Sequence, residues 1–187
     1  MGERVVLNYM QRMSGIASLT KSFVDRLRGT KAILLDTRKT TPNMRIFEKY
    51  SVKIGGGKNH RFGLNDGIMI KDNHIEAAGG IGNAIYLARK NSSFLRMIEV
   101  EVENICEVKE AIEAKADIVM LDNMDINTMR EAVKFIDKRV LVEASGNVNL
   151  ENIREIAETG VDFISTGAIT HSFKALDISM KNFVYID

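Results

Sequence analysis

Residues 98–123 read Ile98-Glu99-Val100-Glu101-Val102-Glu103-Asn104-Ile105-Cys106-Glu107-Val108-Lys109-Glu110-Ala111-Ile112-Glu113-Ala114-Lys115-Ala116-Asp117-Ile118-Val119-Met120-Leu121-Asp122-Asn123. The stretch opens on a short alternating run rich in β-branched residues, which favours a strand. Asn104 with Glu107 then forms the pairing that starts a helix, because each side chain satisfies an amide the helix leaves orphaned. A second aliphatic run, Ile118–Leu121, follows and ends in acid and amide. Strand, helix and strand at this spacing predict parallel strands joined by a right-handed crossover.

The rhythm extends both ways. Aliphatic runs recur at Ala32–Leu35, Ile68–Ile70, Met97–Val102, Ile118–Leu121, Val140–Val142 and Phe163–Ser165, with Leu176–Met180 as a candidate seventh. Asp125 and Asn149 stand where N-caps belong, and Gly160 falls where a helix would stop after Ile153–Glu158. The expected fold class is α/β: a TIM-like (β/α) barrel, incomplete, with six or seven strands. A long helix precedes it, Glu3 to Leu27, with Val6, Met10, Met13, Ala17, Val24 and Leu27 on one face, an interruption at Ser14-Gly15 and a stop at Gly29. The expected division is a helical segment over 1–30 and the barrel over 31–187. Between Thr37 and Asn65 the pattern lapses. A helix from Pro42 to about Tyr50 is expected, then a loop whose Gly55-Gly56-Gly57 would let backbone approach a ligand.

The chain has 187 residues, enough for one domain with a real core, and its net charge of +1 gives no field that points to nucleic acid or a membrane surface. Cys106 is the only cysteine, which excludes an internal disulfide and a cysteine-built metal site. No run reaches the length of a membrane span and no signal peptide is evident, so the cytoplasm is the default expectation. Gly80-Ile81-Gly82 lacks the third glycine of a dinucleotide fingerprint, and Gly57-Lys58 lacks the Walker spacing.

The chemistry is written at the strand ends, which in a barrel converge on one mouth. Asp36-Thr37-Arg38-Lys39 follows the first run, Lys71-Asp72-Asn73-His74 the second, and Asp122-Asn123 the fourth. Between Asp36 and His74 eight Lys or Arg outnumber four Asp or Glu, a local +4. Arg38, Arg61 and Lys71, with His60, suit a compact polyanion. Glu101 and Asp122 make an acidic side that could take Mg²⁺, directly or through water, or ribose hydroxyls. A barrel-interior ion pair of Glu99 or Glu101 with Lys71 is the competing structural reading. Ser145-Gly146-Asn147 and Thr166-Gly167-Ala168 are small turns with donors suited to phosphate. His171 either assists them or caps a surface helix.

These strings together resemble the catalytic barrel domain of quinolinate phosphoribosyltransferases, also called nicotinate-nucleotide pyrophosphorylases (carboxylating). The resemblance rests on Glu3-Arg4 leading to Ser14-Gly15-Ile16-Ala17, and on Asp36-Thr37-Arg38-Lys39-Thr40-Thr41-Pro42. It continues through Gly55-Gly56-Gly57-Lys58-Asn59-His60-Arg61, Ile70-Lys71-Asp72-Asn73-His74, Glu99-Val100-Glu101-Val102 and Leu121-Asp122-Asn123. Glu143-Ala144-Ser145-Gly146 and Ser165-Thr166-Gly167-Ala168 complete it. It implies transfer of phosphoribosyl from phosphoribosyl pyrophosphate to quinolinate, with Mg²⁺, giving nicotinate mononucleotide, pyrophosphate and CO₂ in NAD biosynthesis. It also implies a homodimer or higher homo-oligomer. Arg38, His60, Arg61 and Lys71 would bind the quinolinate carboxylates, and Lys39 would face the pyrophosphate. Ser145, Gly146, Gly167 and His171 would hold the 5′-phosphate, with Thr37, Asn147 and Thr166 as further substrate-binding residues. Arg4 would reach a partner subunit's site. Catalytic roles would fall to Lys39, Lys71, Glu101 and Asp122, with Glu101 and Asp122 also placed for the metal. Asn43 and Asn147 stand where the family often has glycine. The family's N-terminal α/β-sandwich domain has no counterpart here, so low activity of the chain alone is expected. The alternatives are a molybdenum-associated paralogue, a barrel aldolase with Lys71 as Schiff-base amine, and a non-catalytic binding barrel.

Overall fold

The computed structural model describes residues 2–181. Helix α1 (Gly2–Arg26) leads into β1 (Ile33–Leu35), α2 (Arg45–Ile54) and β2 (Ile68–Ile70). Two helices, α3 (Asp72–Ala78) and α4 (Ile81–Asn91), connect β2 to β3 (Ile98–Val102). Single helices then alternate with strands: α5 (Ile105–Glu113), β4 (Ile118–Asp122), α6 (Ile126–Ile136), β5 (Leu141–Ser145), α7 (Ile153–Glu158), β6 (Phe163–Ser165) and α8 (Ala168–His171). The strands form one six-stranded sheet in the order β1-β6-β5-β4-β3-β2, every pair parallel.

The sheet curls into a barrel. His60 Nε2 lies 3.1 Å from Glu99 Oε2 on β3 and 3.5 Å from Glu143 Oε2 on β5, although β4 stands between those strands. Only a strongly curved sheet brings inward side chains of non-adjacent strands to one atom. Among the described residues no ladder joins β1 to β2. The segment from Lys58 to Arg61 stands there instead: Lys58 bridges to Leu35, and Arg61 Nη1 donates to Gly67 O at 3.4 Å.

Along β3 the outward residues Ile98, Val100 and Val102 are fully buried under the helices, while Glu99 and Glu101 point inward. The two-residue period of a strand thus separates an apolar outer core from a polar interior. Below the carboxylates, Ile118 and Phe163 line an apolar chamber at the lower end of the barrel.

Four expectations are corrected. Leu176–Met180 is not a strand; it runs along α1, with Leu176 N–H donating to Gln11 O at 3.1 Å and Gln11 Nε2 to Ile178 O at 2.9 Å. Helix α2 starts at Arg45, with Pro42 in the turn before it, where Asn43 takes a left-handed φ of 63°. Helix α1 is continuous through Ser14-Gly15, because Gly15 serves contact: a Cβ there would lie 3.1 Å from Ala175 Cα. The caps behave as expected at Asn104, which accepts from Glu107 N–H at 3.0 Å, and at Asp125, which accepts from Asn127 N–H at 2.9 Å. Asn149 caps a turn instead, accepting from Glu151 and Asn152 N–H, and α7 begins beyond it.

Candidate active site

The strand ends open on a cavity of about 630 Å³. Its basic wall carries Thr37, Arg38, Lys39, His60, Arg61 and Lys71, and Glu101 and Asp122 form its acidic side. Ser145, Gly146 and Asn147 line a third quarter, with Thr166, Gly167 and His171 beside them. Every expected site residue except Arg4 therefore shares one opening; Arg4 stands exposed on α1, outside it.

The loop bearing Arg38 and Lys39 is tied from several sides. Arg45 donates to Arg38 O at 3.0 Å, to Thr40 Oγ1 at 2.9 Å and to Phe62 O at 3.0 Å, so one guanidinium fork joins the loops carrying Arg38 and Arg61. Thr170 Oγ1 donates to Lys39 O at 2.8 Å. Buried Glu48 accepts from Thr41 N–H at 3.1 Å and from Arg12 Nε at 3.0 Å. Asp36, fully buried, pairs with Lys49 and accepts from His60 N–H at 2.9 Å and Asn59 Nδ2 at 2.6 Å. Burial pushes the Asp36 carboxyl up and the Lys49 ammonium down, and the pairing draws each back. The local surplus of cations therefore overstates the charge of the mouth. Arg45 and Lys49 are structural, and Lys53 and Lys58 do not line the cavity. Nor do Gly55 to Gly57: a Cβ on Gly55 would lie 2.5 Å from Ala17 O, so the glycines admit α1, not a ligand.

Arg61 and Lys71 sit in contrasting settings. Burial and the neighbouring Arg38 charge push the Arg61 guanidinium below its ordinary value, and Glu99 pulls it back. Lys71 forms an ion pair with Glu101, the interior pairing that was one of the two readings of these residues. Gly167 keeps space at the late strands, since a Cβ would meet His171 Nε2 at 2.9 Å and Lys39 Cδ at 3.1 Å.

His60 lines the cavity with both ring nitrogens engaged by the protein. Its Nδ1 accepts from Arg61 N–H at 2.7 Å while Nε2 points at Glu99 and Glu143. Burial pulls its pKa down, but Glu143 and then Glu99 outweigh this and hold it at about 9. Nε2 carries a proton toward the two carboxylates in both the neutral and the charged ring, and below about 9 Nδ1 takes the second proton and gives up its bond with the Arg61 N–H. His60, Glu99 and Glu143 also lie close enough together to hold a cation. Burial raises the Glu99 carboxyl, its hydrogen bond with His60 lowers it, and the Glu143 charge raises it again.

Met69, Met120, Asn123 and Glu143 also line the cavity. Sequence reasoning did not assign them to the site. Strand alternation could have found two of them, since Met69 precedes Lys71 by two residues and Met120 precedes Asp122 by two.

Residues 16–181 match the family model described as quinolinate phosphoribosyl transferase, C-terminal domain. The chain belongs to this family. It is 51% identical over 179 residues to a probable nicotinate-nucleotide pyrophosphorylase (carboxylating) of Bacillus subtilis, covering 96% of this chain and 62% of that protein. To a mitochondrial quinolinate phosphoribosyltransferase (decarboxylating) of Nicotiana tabacum it is 50% identical over 199 residues, covering 96% of this chain and 56% of that one. The crystal structure of NadC from Streptococcus pyogenes superposes with a TM-score of 0.95 at 48% identity, over 99% of this chain and 65% of that one. The chain thus spans little more than half the length of the curated relatives it matches. Among the described residues no helix is long and apolar enough to cross a membrane.

Proposed function

We infer that this barrel transfers the phosphoribosyl group of phosphoribosyl pyrophosphate to quinolinate, with loss of CO₂, giving nicotinate mononucleotide and pyrophosphate. The observation that supports it is one cavity walled by Arg38, Lys39, Arg61 and Lys71 on one side and by Glu101 and Asp122 on the other, with small turns between. Two polyanions have to meet there, and their reacting atoms must lie in line.

In this reading Arg38 and Arg61 grip the ring carboxylates and aim the ring nitrogen at the ribose carbon. The nitrogen's lone pair forms the new bond as the pyrophosphate oxygen leaves with the old bonding pair. Positive charge builds on the ribose carbon, and the Glu101 and Asp122 carboxylates stabilise it. Lys39, beside Gly167, faces the leaving pyrophosphate, and the 145–147 and 166–167 turns hold the 5′-phosphate. The ring carboxylate next to the nitrogen then departs as CO₂, and the carbon takes a proton in its place. Mg²⁺ belongs to this proposal: Glu101 and Asp122 offer the hard oxygen donors it prefers, and it would neutralise leaving-group charge. Homo-oligomerisation belongs to it as well, supported by the exposed apolar side chains on α1 and α2.

Calorimetric titration with phosphoribosyl pyrophosphate, with and without Mg²⁺, tests the binding half. A product assay offering quinolinate, nicotinate or nicotinamide tests the transfer. Binding of the donor and of quinolinate, with CO₂ and pyrophosphate released one for one, is expected. Failure to bind the donor under either condition would sink the reading, and transfer to nicotinate without CO₂ would redirect it.

A further inference from the structure

Asn123 stands between the two anion-handling parts of the cavity. It follows Asp122 at the end of β4 with a left-handed φ of 51°. Its backbone N–H donates to Ser145 O at 3.0 Å, carrying the β4–β5 pairing one residue past the Asp122–Ser145 register. Its side-chain amide works at both ends. Nδ2 donates to Asp122 Oδ2 at 2.8 Å, and Oδ1 accepts from Asn147 Nδ2 at 3.0 Å. An ionised carboxylate can only accept, so Asp122 decides which end of the Asn123 amide faces it. The oxygen is then left for Asn147, which must answer with its own nitrogen. One carboxylate sets the polarity of a three-residue chain that ends in the 145–147 turn. Gly146 lies against this chain: a Cβ on it would be 2.5 Å from Asn123 Cγ and 2.8 Å from Asn123 N.

We propose that Asn123 is a positioning residue for the phosphoribosyl donor, holding the carboxylate of Asp122 and the 145–147 turn at the spacing that one ribose phosphate spans. This rests on the reading of the site given above, in which Asp122 meets the ribose and the turn meets the 5′-phosphate. The cations that would take the ring acid are held separately, Arg38 through Arg45 and Arg61 through Gly67. Loss of Asn123 therefore weakens the donor selectively.

Asn123→Gly keeps the left-handed backbone and its N–H while deleting the amide. Asn123→Asp keeps an acceptor for Asn147 but removes the donor to Asp122 and sets two carboxylates side by side. Each variant is titrated as the whole chain with phosphoribosyl pyrophosphate and, separately, with quinolinate, and its melting temperature is recorded. Because the lost bond is to a charged group, donor Kd should rise roughly tenfold in Asn123→Gly. It should rise further in Asn123→Asp, with quinolinate Kd unchanged in both. If Asn123→Gly melts early, the titrations are repeated well below its melting temperature, where the selective loss of donor affinity should persist. Unchanged donor affinity, or equal weakening of both ligands, overturns the proposal. A parent chain that does not bind the donor overturns the reading of the site, and this inference with it.

Discussion

His60 has a ring whose protonation depends on three side chains from three parts of the barrel. Glu143 on β5 and Glu99 on β3 flank Nε2, the Arg61 amide faces Nδ1, and the Arg61 charge acts on Glu99. Both carboxylates are almost wholly buried, and each has one oxygen without a partner. The folded chain therefore grips a proton here more tightly than the unfolded chain does. The sign follows from linkage: the stabilisation is fully present below the ordinary histidine value of 6.5 and is lost as pH rises through about 9. We expect thermal stability to fall across that window by up to roughly 3 kcal/mol. Glu143→Gln should flatten the slope by removing the largest attraction. A melting temperature that is level or rising over this range would contradict the assignment.

At the scale of elements, glycines and short polar bonds set where helices meet. Gly15 lies in the interior of α1, where Gly→Ala ordinarily stabilises by about 0.5–1 kcal/mol. Here the segment at Lys174 and Ala175 crosses so closely that a Cβ would lie 3.0 Å from Lys174 C. Gly15→Ala should therefore destabilise, by about 1–3 kcal/mol in chemical denaturation; a gain in stability would show that the crossing relaxes freely. Caps at Asn104 and Asp125 were legible because their partners are only two or three residues away. The role of Gly55 to Gly57 was not, because its reason lies on α1, far along the chain. Nor did the local pattern show that Arg45 would join two loops, since Phe62 is seventeen residues on.

At the scale of the whole molecule, α1 and α2 present a shared apolar face to solvent. Val6, Tyr9 and Met10 on α1 and Phe47 and Tyr50 on α2 are exposed, and the Tyr9 and Phe47 rings stack edge to face at 5.0 Å, joining the two sets into one patch. A patch of this kind favours association. Sedimentation should show self-association that rises with concentration and is weakened by Met10→Glu. A chain that stays monomeric at every concentration tested would exclude this face as a self-interface. By itself the sequence determined the strand–helix alternation, the parallel barrel and most of the polar residues at its mouth, but not Met69, Met120, Asn123 or Glu143. Those follow from local periodicity and from one rule, that parallel strands point the same way and their ends gather. Only the tertiary structure decided which charges face a ligand and which hold the protein together. Asp36 with Lys49, Glu48 with Arg12, and Glu99 and Glu143 with His60 read as site candidates or plain surface charge in the sequence. Their burial is fixed by contacts between distant segments, and burial rather than residue type separates a charge held inside from one offered to substrate.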